Sequence, residues 1–509
     1  MYIGAFDIAR FWNSLSMSFV SATFLIFVAI IVVYYYTVRP KNQWIVVLVG
    51  SLIFCLVGGW QVVVYPLLIG IIVYFSARII EATDKKEKKK RKRFVAFSAT
   101  TLVATLSLIK LVQLFELTTI NFIFPIGISY YTFSAISYVA DVYWRKDTAE
   151  KNYFKLLAFL IYFPKILQGP ISRHRQLAPQ MFKGQAFSYK NITFGAQLVL
   201  WGFFKKIVLA DRLVTVVDTV FSNHDDYGGF IIVVTAMLSA VQLYADFSGC
   251  MDMAAGISQM LGLELEKNFD HPFFSKTVAE FWRRWHITLG AWFKDYVYMP
   301  IAVSPGMIKF TGWIRTHIGK AVSRAISTII PLAVTWILTG LWHGTGMNYI
   351  TWGIYWGTLI ILSTLLSKKF DALNEALHIN TKTQIWRIFQ MTRTFLIFCV
   401  TRIIVVPGDM TVTGDILGRL FTDLRPWELV DGTVYNLGLS EYELNLALIC
   451  VGILWIADYL QTKVYIREKI ASWNVVFRSL FYSAAVVGVL TFGLWGPSYD
   501  AASFVYMNY

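Results

Sequence analysis

Long apolar runs, broken by short polar intervals, dominate this chain. They cover 19–38, 44–59, 61–80, 94–115, 190–210, 229–245, 326–342, 347–367, 394–407, 444–462 and 476–496. Most approach or exceed the roughly 20 residues that a helix needs to cross the hydrocarbon core of a bilayer. Two further stretches, 119–140 and 153–171, are apolar but interrupted: the first by Pro125, the second by Pro164 and Gly169-Pro170. Irregular backbone at membrane depth is tolerated only where protein or water satisfies it, so 153–171 is expected to be re-entrant or interfacial. The pattern predicts an all-α, polytopic integral membrane protein with about 11–13 membrane segments, counted at about 20 residues each. The first run carries no small-residue cleavage site after it and is read as a retained helix.

Composition agrees. Of 509 residues, 56% are hydrophobic and only 15% charged, against about a quarter charged in soluble domains. The formal net charge of +15 is not a nucleic-acid signature, because the positive residues cluster in short intervals between apolar runs. The densest is 84–93, DKKEKKKRKR, with eight basic and two acidic residues. Placing it in the cytoplasm puts the N-terminus outside by parity. Lys309, Arg315, Lys320 and Arg324 mark 309–324 as cytoplasmic too. The interval 408–443 holds seven acids and only Arg419 and Arg425, which suits the exterior, and the C-terminus then also lies outside. The cysteines (Cys55, Cys250, Cys399, Cys450) are isolated in or beside apolar segments and are read as packing residues.

Ionisable residues next to apolar segments are where chemistry is sought. In 281–301, FWRRWHITLGAWFKDYVYMPI, Trp285, Leu289, Trp292 and Tyr296 recur at helical spacing. With Arg283, Arg284 and Lys294 beside them, they describe a helix lying at the headgroups. The same cations are candidates for an anionic cofactor's entry. His286, beside the arginines, reads by itself as a hydrogen-bonded structural histidine. Asp246 and Asp252 do not share a helical face, and their default is pairing with nearby cations. In 339–357, TGLWHGTGMNYITWGIYWG, His343 ends an apolar run among Gly340, Gly344 and Gly346. Those glycines would let another backbone or a ligand come close, or break the helix so that the imidazole faces a cavity. A neutral imidazole there could take a proton from an attacking hydroxyl. The alternative, a buried histidine bonded to a carbonyl, stands beside that reading. The remaining histidines suggest no metal site.

These stretches, with FPKILQGPISRHRQLAPQ (163–180) and DFSGCMDMAAGISQMLGLELEKNFDHPF (246–273), resemble the membrane-bound O-acyltransferase family. The likeness is to the branch containing the membrane subunit of alginate O-acetyltransferase. It departs from that branch after Pro300 and at Cys250. The resemblance implies a ring of tilted helices around a tunnel, within a single domain over 1–509. N-terminal helices would fill 1–118, a catalytic core 119–368 and C-terminal helices 369–509. It also implies His343 as the essential histidine and His286 as a second reaction-centre residue. Arg283, Arg284 and Lys294 would hold the acyl donor, acetyl-CoA, with no metal. The expected activity is O-acetylation of an extracellular or cell-wall polysaccharide, through an extracytoplasmic transferase of SGNH type docked on 408–443. The setting would be a bacterial plasma membrane, with lipid as a further partner and no nucleic acid. Two other readings are D-alanyl transfer to teichoic acids from a carrier-protein thioester, and a permease without chemistry. A permease of the repeat type would show charges at matched positions of two repeats, and no such symmetry is present.

Overall fold

A computed structural model describes residues 18–114 and 127–495. Both chain termini and the 119–126 portion of the expected 119–140 segment lie outside the described residues. Helices account for the architecture, and no strand occurs among the described residues. Among the described residues ten helices are long and apolar enough to cross a membrane, and Ala22–Thr37 is a shorter apolar one. Their outward faces carry Ile26, Ile30, Val33, Leu68 and Leu108, each at least half exposed. Such surfaces suit lipid, where water would penalise them. The protein is a multi-pass membrane protein.

The chain divides into two units. The first comprises residues up to 207, then 246–266, then residues from 470. Within it the expected break falls as Pro164 and Gly169 require. A helix Tyr153–Leu160 stops, a single turn Phe163–Ile166 follows, and a helix resumes at His174–Lys183. Residues 156–174 are buried throughout, so protein rather than lipid surrounds this irregular backbone. In the basic run 84–93 every residue is exposed except Arg91, which lies in the helix Lys88–Leu114. It is buried, with its guanidinium donating to the carbonyls of Ile80 and Tyr143.

Glycine sets a close helix crossing in this unit. A Cβ on Gly195 would meet the Gly256 carbonyl at 2.5 Å, and one on Gly202 the Gly249 carbonyl at 2.6 Å. At this approach the backbone widens into a π-helical turn, Phe204–Ala210. It carries Lys205 and Lys206 to Asp252 and Asp246, each pair at 2.7 Å. The two aspartates thus take the cations expected of them, from a lysine pair inside an apolar run.

The second unit comprises 208–245 and 267–469. Its centre is aromatic: Phe281 stacks on Trp285 and Trp356, and Phe398 contacts all three. Helices Lys320–His343 and Met347–Ala376 form a tight hairpin. The 408–443 interval folds into a helix Met410–Thr422 and two short 3₁₀ turns. Most of its acids are committed locally. Asp409 and Asp431 accept from nearby backbone N–H groups, Asp423 pairs with Arg425 at 2.7 Å, and Glu428 accepts from Gly228. Glu443 completes a capping box with Ser440.

Candidate active site

His286 sits at a deliberate break. Thr277 caps the helix Val278–Arg284, which stops at Trp285, and a second helix, Ile287–Phe293, begins after His286. His286 itself adopts a left-handed conformation, φ 45° and ψ 53°, a cost for a non-glycine residue that surrounding structure must offset. The segment 268–270 supplies that support. Ile287 N–H donates to the Asn268 carbonyl and Asp270 N–H to the Arg284 carbonyl, both at 2.9 Å. Asn268 also uses its side chain: its Oδ1 lies 3.1 Å from His286 Nδ1 and accepts from both the N–H and the hydroxyl of Thr288. Further along, His271 and Tyr244 meet the buried carboxylate of Asp458, at 3.5 Å and 2.7 Å.

This geometry corrects the expected headgroup helix. Trp285 and Leu289 stand on opposite sides of the break, and Trp285, Leu289 and Trp292 are all buried. Trp285 packs on Phe269, Phe281 and Phe398. These are core residues of the second unit. The aromatic spacing reflects inward packing on consecutive short helices, not anchoring in lipid.

His343 is the last residue of its helix, which Gly344 terminates by donating back to the Gly340 carbonyl. The surrounding glycines serve close packing rather than an opened backbone. A Cβ on Gly340 would meet the Tyr349 carbonyl at 2.5 Å, and one on Gly344 would overlap the Tyr349 ring. A Cβ on Gly353 would meet the Trp336 carbonyl of the other arm of the hairpin at 2.6 Å. The imidazole is thereby held between indoles, 4.7 Å from Trp342 and 4.7 Å from Trp352 by ring centroids.

The two histidines, 57 positions apart in the chain, converge on Trp342, whose indole lies 6.1 Å from His286. Both are buried, at 2% and 7% exposure. Burial, with the nearby His343, holds the His286 imidazole well below the usual histidine range, so it is neutral at neutral pH. Two imidazoles in an indole shell, poor in water, suit proton removal from a hydroxyl or thiol. The cations divide. Arg283 and Lys294 are exposed, whereas Arg284 is already paired with Glu280 at 2.7 Å. Sequence reasoning passed over Asn268, Trp342 and Trp352. Asn268 offered a signal, a neutral amide between Lys267 and Phe269 just ahead of the Asp-His-Pro turn. On the same unit His224, Asp225 and Asp415 gather their ligand-type atoms within 4.8 Å, with Asp225 engaged by Arg419.

Known proteins align with this arrangement. The chain is 33% identical over 346 residues to a probable alginate O-acetylase of Pseudomonas syringae pv. tomato, covering 68% of this chain and 60% of that one. A peptidoglycan O-acetyltransferase of Helicobacter pylori is 32% identical over 266 residues, 47% of each chain. A teichoic acid D-alanyltransferase of Bacillus subtilis is 28% identical over 255 residues, 49% of this chain and 61% of that one. The chain spans 60–65% of the length of the alginate O-acetylase relatives from Pseudomonas syringae and Pseudomonas fluorescens. The model of the membrane-bound O-acyltransferase family matches residues 145–406, a span that contains both histidines and every element holding them, and this chain belongs to that family.

Proposed function

We propose that this protein is an O-acetyltransferase that moves an acetyl group from cytoplasmic acetyl-CoA across the membrane. The acetyl group ends on a hydroxyl of an extracellular or cell-wall polysaccharide. The observation carrying this reading is the convergence of His286 and His343 on Trp342 in a buried, aromatic setting. His343 takes the proton of the attacking hydroxyl, and His286 completes the reaction centre. Arg283 and Lys294 hold donor phosphates, and Arg284 contributes less because Glu280 already balances it. The stretch 119–368 is the catalytic core, in a bacterial plasma membrane with both termini outside. A separate extracytoplasmic transferase of SGNH type completes the transfer. It docks on 408–443 through the exposed Phe421, Trp427 and Val430 rather than through the acids. Acetylation is preferred to D-alanylation because the acetylase relatives are the more similar.

The test is ester content of the exported polymer in cells carrying His343→Gln at membrane abundance matched to the parent. O-acetyl groups should fall by about 10²–10⁴-fold, the usual contribution of a positioned base. Near-normal acetylation would overturn the mechanism, and loss of D-alanine esters instead would move the reading to the D-alanyl branch.

A further inference from the structure

The hydrogen bonds around Asn268 define the chemical form of His286. Three groups converge on Asn268 Oδ1: Thr288 N–H at 3.0 Å, Thr288 Oγ1 at 2.9 Å and His286 Nδ1 at 3.1 Å. An amide side chain can be turned end for end without changing its shape, so the identity of the contacting atom needs an argument. Thr288 N–H supplies it. A backbone N–H can only donate, and the amide nitrogen of Asn268 can only donate, so the atom facing Thr288 is the oxygen. That oxygen has no hydrogen to give, so His286 Nδ1 must carry one to bond with it. In a neutral imidazole the second nitrogen then has a lone pair.

We infer that Asn268 is the positioning residue of this site, holding His286 as the Nδ1–H tautomer with Nε2 as its basic nitrogen. The inference rests on the proposed acyl transfer for its consequence, not for its geometry. With this tautomer, His286 in its neutral form accepts a hydrogen bond or a proton at Nε2 and donates none there. It is a base or an orienting acceptor for a hydroxyl or thiol, not a donor to a developing oxyanion. If Nε2 shares the proton path with His343 and receives the hydroxyl proton, the O–H bond breaks and an N–H bond forms. The positive imidazolium keeps its Nδ1–H on Asn268 throughout. Thr288 belongs to the same device, since its N–H and hydroxyl together fix which end of the amide faces the ring. The left-handed turn at His286 brings Thr288 and the imidazole to the same oxygen.

The tautomer is measurable without activity. The full chain, labelled with ¹⁵N-histidine and reconstituted in nanodiscs, would give the His286 ring signals as those missing from His286→Gln. Couplings to the ring protons distinguish Nδ1 from Nε2. The expected result is a protonated Nδ1 and an unprotonated Nε2 at neutral pH. Asn268→Asp, which keeps an acceptor, should preserve that tautomer. Asn268→Ala should lose it, and should lower acetyl transfer about 10-fold or more, as outer partners of a histidine do at metal sites. Asn268→Asp should restore much of that transfer. Nε2–H in the parent chain, or an unchanged tautomer in Asn268→Ala, would overturn the assignment. The expected tautomers with full transfer by Asn268→Ala would leave Asn268 in its positioning role and overturn the part given to His286 in the reaction.

Discussion

Lys206 and Asp246 form an ion pair of 2.7 Å in which neither side chain reaches solvent, at 1% and 0% exposure. The neighbouring Lys205–Asp252 pair repeats the geometry with Asp252 partly exposed, and Lys205 also donates to Ser248 at 2.8 Å. Both lie in helices apolar enough to span a membrane, where an uncompensated charge is expensive.

Removing one partner of the Lys206–Asp246 pair should therefore harm the fold more than removing both. Lys206→Met alone leaves a buried carboxylate and should cost about 3–5 kcal/mol. Lys206→Met with Asp246→Leu should recover most of that, because buried pairs often match apolar replacements. The measurement is thermal unfolding of the detergent-solubilised chain. A double variant as unstable as the single ones would show that the pair does more than neutralise itself.

Much of the fold was legible because lipid leaves a coarse signature. The apolar runs at 229–245 and 347–367 lie inside the helices Gly229–Met260 and Met347–Ala376, and Pro164 with Gly169 marked a break that is present. What periodicity misread is instructive. Trp285, Leu289 and Trp292 keep helical spacing across a break that shows in the backbone of Trp285 and His286. The spacing of side chains survives when two short helices pack their inner faces on one core. Gly340 and Gly344 were legible as special, but sequence cannot distinguish a glycine that opens a cavity from one that admits a neighbouring chain. Here Tyr349 decides it. Asn268 was not legible as a site residue because its partner lies 18 positions away, across a turn whose course depends on His271 and Asp458.

Orientation in the membrane is predicted from charge. Residues 84–93 and 309–324 should face the cytoplasm and 408–443 the exterior. On a background without cysteine, single cysteines at Lys88, Arg315 and Asp415 would be offered an impermeant thiol reagent in intact cells. Labelling at Asp415 alone is expected. Labelling at Lys88 with protection at Asp415 would invert the whole assignment.

Donor binding should separate the three cations by their surroundings. Arg283 and Lys294 are exposed, so each contact with a donor phosphate is screened by solvent and worth about 0.5–1 kcal/mol. Arg283→Gln and Lys294→Gln should raise the KM for acetyl-CoA about 2–5-fold at nearly constant kcat. Arg284→Gln should change KM less and unfold more easily, since it strands Glu280 one turn before the His286 break. An equal KM effect at all three positions would argue that Glu280 releases Arg284 when the donor binds.

The last prediction uses the pH dependence of stability at His286. Burial, with His343 nearby, lowers its proton affinity in the folded chain, while an unfolded histidine titrates near 6.5. Below that pH the unfolded chain binds a proton that the folded one refuses. Its contribution to stability is therefore complete above about pH 6.5 and falls as pH drops toward the lowered folded value. The slope for one proton is at most about 1.4 kcal/mol per pH unit. Other groups in the chain also titrate in acid, so the comparison must be with a chain lacking only this imidazole. His286→Gln supplies it: a neutral amide that cannot charge in acid. Melting temperatures of parent and variant should be furthest apart, in the parent's favour, at pH 7.5. They should approach one another by pH 5. A difference that stays constant from pH 7.5 to 5 would mean that His286 gains its proton equally in both states, and would remove the electrostatic case for a neutral imidazole in the site.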